Sequence, residues 1–272
     1  MKISIVTINY NNAEGLKMTI DSVVAQTHKE YEHIIVDGNS TNDDSVKIIQ
    51  EYDYQQRRKT NGSIIRWISD ADKGIFAAMN KGVRMAQGEY VLMLNSGDAL
   101  VNEHVLERIV PYLDGSDIIQ GNTIEEHKGK TIQNKGYGRS EITMHDVLDG
   151  NFLHQASFCR KDLFVRYGYF DESYAIVADK KFFMTCLGLH DASFKYVDID
   201  VANFDTTGIS SAKSGEWSKK HEEEDKRLRS EMFSNRLRVY IEESEKKSKT
   251  YEVLQPHKCL WRIVKLFTRI SD

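Results

Sequence analysis

Leu92-Met93-Leu94-Asn95-Ser96-Gly97-Asp98 is the stretch that decides how this chain is read. Tyr90 to Leu94 is almost wholly apolar, the pattern of a short strand buried on both faces of a parallel sheet. The run then breaks into Asn-Ser-Gly-Asp, where Gly97 permits a tight turn and Asp98 is delivered past the strand's carboxyl end. In open α/β sheets that edge is where ligands bind. A carboxylate there can hold a hard divalent cation against a phosphate. Taken alone, the turn reads equally well as a polar cap on the next helix.

Outward from this stretch, strand and helix alternate. Ile3 to Ile8 is a β-rich run, followed by Asn9-Tyr10-Asn11-Asn12 and by Leu16, Ile20, Val23 and Val24 at helical spacing. Tyr31 to Val36 predicts a second strand, ending in Asp37-Gly38-Asn39-Ser40, with a helix through Val46, Ile48 and Ile49. Ile64 to Ile68 predicts a third, ending in Ser69-Asp70-Ala71-Asp72-Lys73-Gly74. Ile75, Met79, Val83 and Ala86 mark the following helix, with Gly88 as its expected left-handed stop. Short connections between strands and helices imply right-handed βαβ units and a parallel sheet. Three successive strands thus end in aspartate-bearing turns, at Asp37, at Asp70 and Asp72, and at Asp98. Parallel strands bring such turns to one edge. Helix capping accounts for some of these carboxylates, but not for the richness of all three clusters. No G-x-G-x-x-G follows the first strand and no G-x-x-x-x-G-K-[ST] occurs, which argues against dinucleotide-binding and P-loop readings.

Composition sets outer bounds. With 272 residues, 40% hydrophobic and 29% charged, the chain can bury a sizeable core. A net charge of −4 argues against a general nucleic-acid binder. The three cysteines, Cys159, Cys186 and Cys259, lack metal-ligand spacing and fit a reducing cytosol. Met1-Lys2 runs straight into an apolar strand without the plan of a signal peptide. No window approaches the roughly eighteen apolar residues of a membrane span. A cytoplasmic protein is expected.

The quoted segments resemble glycosyltransferase family 2. The resemblance runs through Ser4-Ile5-Val6-Thr7-Ile8-Asn9-Tyr10-Asn11, Ser22-Val23, Gln26-Thr27 and Glu32 to Ser40. It continues through Asp72-Lys73-Gly74-Ile75, Ala78 to Gly82, and Gly88-Glu89-Tyr90 leading into the Asn95–Asp98 turn. Leu153-His154-Gln155-Ala156-Ser157-Phe158, Gly168 to Glu172, and Ala178-Asp179 follow in the family's order. It covers roughly residues 1 to 212 and looks closest to bacterial members that build surface polysaccharides. It implies a GT-A fold: a mixed, mainly parallel α/β sheet flanked by helices. It also implies inverting transfer of a sugar from a nucleotide diphosphate donor, a UDP-sugar foremost, with Mn²⁺ or Mg²⁺.

Carried over by position, Thr7, Asn9 and Asp37 fall in the nucleotide-binding region, with Asp72 in the same pocket. Asp98 matches the last acid of the metal motif, with Ser96 at its first acidic position. Asp179 matches the catalytic base, and His154 and Gln155 contact sugar hydroxyls. Gly38 stands where a second aspartate is common. A catalytically impaired nucleotide-sugar-binding protein is the alternative, suggested by Ser96. Such cations commonly take only one or two protein carboxylates, with phosphates and water completing the shell. Asp98 can therefore suffice, with weak metal affinity in the absence of donor.

Residues 204–211, small and polar after a strand from Phe194 to Val197, read either as a loop closing over the donor or as an ordinary surface loop. Residues 213–272 read as a helical C-terminal extension. Leu228, Met232 and Val239, with Phe233, Leu237 and Ile241, form an apolar helical stripe. Beyond Pro256, at about 100° per residue, Lys258, Arg262, Lys265 and Arg269 fall on one narrow stripe of an otherwise apolar helix. Two readings stay open for residues 257–272: peripheral contact with the inner membrane face, near a lipid-linked or glycan acceptor, or packing on protein, a homodimer partner included.

Overall fold

The computed structural model describes residues 3–60, 65–127, 129–206 and 215–233. Its first strands pair in parallel: β1 (Ile3–Asn9) with β2 (Tyr31–Asp37) and with β4 (Tyr90–Met93), and β2 with β3 (Ile65–Ser69). Helices α1 (Ala13–Val24), α2 (Ser45–Thr60) and α3 (Ile75–Met85) are the crossovers. The antiparallel β8 (Ser157–Arg160) joins this block to β6 (Ile118–His127). β6 pairs in parallel with β9 (Phe194–Phe204), and the two-residue β5 (Ala99–Leu100) closes the path antiparallel to β9. Among the described residues this is a nine-stranded mixed sheet, ordered β3-β2-β1-β4-β8-β6-β9-β5, with β7 (Lys130–Asn134) hairpinned onto β6.

Burial explains why the parallel block forms. β1, β2 and β4 are closed to solvent along nearly their whole length, so both faces must be covered. Leu16, Ile20, Ile35, Ile49 and Ile65 form one cluster, and Ile3, Ile5, Leu92, Leu94, Phe158 and Val201 belong to a larger one. That larger cluster includes Val105, Leu106 and Ile109 of α4 (Val105–Ile109). α3 lies so close to β1 that a Cβ at Gly82 would stand 2.3 Å from Val6 Cγ1.

The helix stop differs from the sequence reading. α3 ends at Met85 with Ala86 as its extended cap, and Gly88 does not adopt the left-handed backbone. The Gly88 N–H donates instead to Ser4 Oγ (2.8 Å) and Glu32 Oε1 (3.1 Å). The glycine therefore serves the return from α3 to β4, anchored on a buried Ser4–Glu32 pair. β9 is also longer than expected: the strand runs on to Phe204, so the stretch read as a loop begins inside the sheet. Asp205 and Thr206 follow it, and residues 207–211 lie outside the described residues.

The remaining elements carry side chains to the sheet's edge. α5 (Met144–Asp149) has a reciprocal Thr143–Asp146 capping box. A short 3₁₀ turn, His154–Ala156, leads into β8, which α6 (Lys161–Tyr167) follows. α7 (Ala178–Phe183) continues into a π-helix, Met184–Leu189. The chain divides into two units, residues 1–218 and 219–272, with α8 spanning Glu216–Met232. Of the expected apolar stripe, Leu228 and Met232 lie in α8; Leu237, Val239, Ile241 and the basic segment 257–272 lie outside the described residues. No helix among the described residues is long and apolar enough to cross a membrane.

Candidate active site

The parallel register places Asn9 beside Asp37 and Asp37 beside Ser69, so three strand ends meet at one carboxylate. Asp37 Oδ1 accepts from Asn9 Nδ2 (2.8 Å) and Ser40 Oγ (2.5 Å); Oδ2 accepts from the Ser40 N–H (2.9 Å) and Ser69 Oγ (2.6 Å). Burial raises the cost of this charge, but those hydrogen bonds outweigh it and hold the carboxyl below the usual carboxylate range. The group has no exposed surface. Asp37 therefore organises the floor of the strand ends rather than lining open space. Asn9 Oδ1 is buried there without a hydrogen-bond partner.

Thr7 lies inside the sheet block. It is wholly buried, its hydroxyl donates to the Leu94 carbonyl (2.8 Å), and it sits 2.8 Å from His33 Nε2. Its side chain thus ties β1 to β2 and β4.

The Asn95–Asp98 turn is fastened from both sides. Its Ser96 N–H donates to the Ile8 carbonyl (3.1 Å) and Ser96 Oγ to the Asn12 carbonyl (3.3 Å). Thr19 Oγ1 accepts from the Gly97 N–H (3.1 Å) and donates to the Asp98 carbonyl (2.6 Å). Asp98 is 3% exposed and accepts the Asp205 N–H at 2.9 Å. Burial pushes its carboxyl up to about 6, despite that hydrogen bond and the nearby His154.

Within electrostatic reach of this turn, His154 Nδ1 lies 3.0 Å from Asp179 Oδ2. The 3₁₀ turn supplies the imidazole and the first turn of α7 supplies the carboxylate, whose Oδ1 accepts the Lys180 N–H (2.8 Å). Burial disfavours the imidazolium, yet the bond to Asp179 and the fields of Asp179 and Asp98 hold its pKa above the ordinary histidine value. His154 Nε2 is buried without a hydrogen-bond partner. The structure thus joins Asp98, His154 and Asp179 electrostatically. Gln155, at 4% exposure, is turned into the protein.

Asp72 sits apart from these, in a cleft of about 510 Å³ lined by Asp70, Lys73, Lys81, Arg84 and Glu172 among others. Its Oδ1 pairs with Lys81 Nζ at 2.6 Å, and its Oδ2 is buried without a partner. Reasoning from the sequence missed Lys81, Ser40, Ser69 and Asp205 as members of these networks. Ser40 and Ser69 flank strand ends already singled out, whereas no local pattern marks Asp205.

Such a sheet, with acids gathered where parallel strands end and a His–Asp pair beside them, defines a glycosyltransferase of the GT-A architecture. The family model for glycosyl transferase family 2 matches residues 4–169, and the chain belongs to that family. It is 29% identical over 225 residues to an uncharacterized glycosyltransferase of Mycobacterium tuberculosis, covering 77% of each chain. It is 30% identical over 165 residues to the poly(ribitol-phosphate) beta-N-acetylglucosaminyltransferase TarP of Staphylococcus aureus, covering 57% of this chain and 47% of TarP. Among solved structures it resembles S. aureus TarS 1-349 in complex with UDP-GlcNAc (TM-score 0.61, 21% identity, 80% of this chain and 61% of that one). It spans 41% of a longer TarS chain. A third likeness is to the mannosyltransferase PcManGT of Pyrobaculum calidifontis in complex with GDP-Man and Mn²⁺ (TM-score 0.57, 13% identity, 98% and 88% covered). At these identities the solved structures bear on the fold alone.

The residues present fit a divalent cation of the kind such enzymes use. Among the described residues no three His, Cys, Asp or Glu side chains form a ready-made cage. Asp98, nearly closed to solvent, nevertheless lies against the seat of Asp205 at Gly97, a hard-oxygen donor set suited to Mg²⁺ or Mn²⁺ completed by phosphates.

Proposed function

We propose that this family 2 glycosyltransferase moves a glycosyl group from a UDP-sugar to a hydroxyl of a glycan or lipid-linked acceptor, with inversion and with a divalent cation. The observation that carries this reading is the 3.0 Å contact of His154 with Asp179, where the Asp98 charge acts on the same imidazole. In the reaction the acceptor oxygen attacks the anomeric carbon and the carbon–oxygen bond to the diphosphate breaks. The electron pair leaves on the diphosphate, and Asp179 takes the acceptor proton. General-base help of this kind is worth about 10²–10⁴-fold. His154 orients the base; its imidazole, under the influence of two carboxylates, favours one rotamer of Asp179. A cation held at Asp98 supplies charge neutralisation for the leaving diphosphate. Asn9 and Asp37 shape the nucleotide end, and Asp72, paired with Lys81, lines the neighbouring cleft.

A UDP-sugar is the donor that the family resemblance puts foremost; TarS was solved with UDP-GlcNAc and PcManGT with GDP-Man, so both nucleotides belong in the test. A glycan or lipid-linked acceptor is in keeping with relatives such as TarP, whose name specifies a poly(ribitol-phosphate) polymer. For residues 257–272, with Lys258, Arg262, Lys265 and Arg269, we propose contact with the inner membrane face, protein packing being the other reading; loss of vesicle binding on their deletion is the check. A thermal-shift screen of UDP-, GDP- and dTDP-sugars, with and without Mn²⁺, tests the donor. Proton NMR of the first hydrolysis product then reads its anomeric configuration. A Mn²⁺-dependent shift by a UDP-sugar and an inverted product are expected; retention of configuration sinks the mechanism.

A further inference from the structure

We propose that Asp205 is the second protein carboxylate of the cation site, acting where Ser96 leaves the Asn95–Asp98 turn without its first acid. This rests on the metal-dependent reading above. β5 and β9 run antiparallel with Ala99 opposite Asn203. Continuing that register past the strands carries Phe204 towards Asp98 and Asp205 towards Gly97. Two contacts agree with it. The Asp205 N–H donates to Asp98 Oδ1 at 2.9 Å. A Cβ at Gly97 would meet Asp205 Oδ2 at 2.6 Å, so the carboxylate fills the space that a side chain at 97 would take. Gly97 also holds φ at +107°, a backbone that disfavours other residues.

Two like charges are thereby seated on one turn, and Asp98 is only 3% exposed. Two hard-oxygen ligands so placed suit Mg²⁺ and Mn²⁺, with phosphates completing the shell. Ser96, whose hydroxyl is bonded to the Asn12 carbonyl, brings no charge to the site. Asp205 supplies that charge from a point 107 residues away.

The test is electron paramagnetic resonance of free Mn²⁺, titrated with the full chain with and without UDP. Asp205→Asn keeps the backbone N–H to Asp98 but removes the charge. It is expected to weaken Mn²⁺ binding at least as much as the roughly ten-fold that even outer-shell partners cost, with metal-free UDP binding unchanged. Asp205→Cys should turn the preference from Mg²⁺ towards Cd²⁺, a change that a purely structural aspartate would not produce. Wild-type Mn²⁺ affinity in Asp205→Asn, with loss in Asp98→Asn, overturns this proposal and leaves the metal reading standing. Should Asp205→Asn not fold, absence of the Cd²⁺ preference in Asp205→Cys overturns it instead. A wild-type chain that binds no Mn²⁺ even with UDP overturns both.

Discussion

Asp37, in the parallel half of the sheet, receives four hydrogen bonds and has no exposed surface. Asp179, carried by the half built from β8, β6 and β9, has the His154 imidazole and the Lys180 N–H, and its side chain stays 23% exposed. Both are aspartates at the mouth of the same fold. The difference is one of remaining valence. A carboxylate saturated by its own protein fixes shape, because every departure leaves buried donors unpaired. One with an open flank can take a proton or meet a ligand. Asp37 thus belongs to the frame, and the His154–Asp179 contact is where the proposed chemistry would take place.

The contrast makes the frame's residues costly to stability. The largest expected effect is at Asp37. Asp37→Ala leaves Asn9, Ser40 and Ser69 without their acceptor, and should lower unfolding free energy by about 3 kcal/mol or more, read by urea denaturation. Next is Gly82→Ala. Contact with Val6 costs about 1–3 kcal/mol, reduced by up to about 1 kcal/mol of improved helix propensity. A net gain in stability would show that α3 can shift away from β1. Smallest per step is a pH effect at His33, which burial depresses from 6.5 to about 3. The folded chain keeps this imidazole neutral while the unfolded chain protonates it, so its stabilisation is complete above pH 6.5 and is lost as pH falls towards 3. The slope in that window is about 1.4 kcal/mol per pH unit. Denaturation at pH 7, 5.5 and 4.5 should show it, and His33→Asn should flatten it.

The same contrast explains what the sequence made legible. β1 to β4 and their crossover helices follow one another with short connections, so periodicity and turn chemistry located them and aligned their carboxyl ends. Boundaries strayed where a glycine serves a different purpose, as at Gly88, which bonds to Ser4 and Glu32 instead of turning left-handed. Beyond residue 100 the pairings are long-range. β8 inserts between β4 and β6, β7 hairpins onto β6, and β9 extends seven residues beyond the expected Val197, to Phe204. Asp205 then looked like part of a polar loop, since only the β5–β9 register brings it to Gly97. His154 and Asp179 were visible only through resemblance to a family, because 25 residues separate them and no local periodicity links them. Thr7 is likewise a motif position, and the structure shows it wholly buried and bonded to the Leu94 carbonyl.

The central claim is that Asp179, oriented by His154, is the base. Asp179→Asn preserves an acceptor for the Lys180 N–H and a partner for His154, so the chain should fold and bind UDP with Mn²⁺ as before. Turnover of the best UDP-sugar from the screen should fall by about 10²–10⁴-fold. Turnover at the wild-type rate, with unaltered nucleotide binding, would contradict the account.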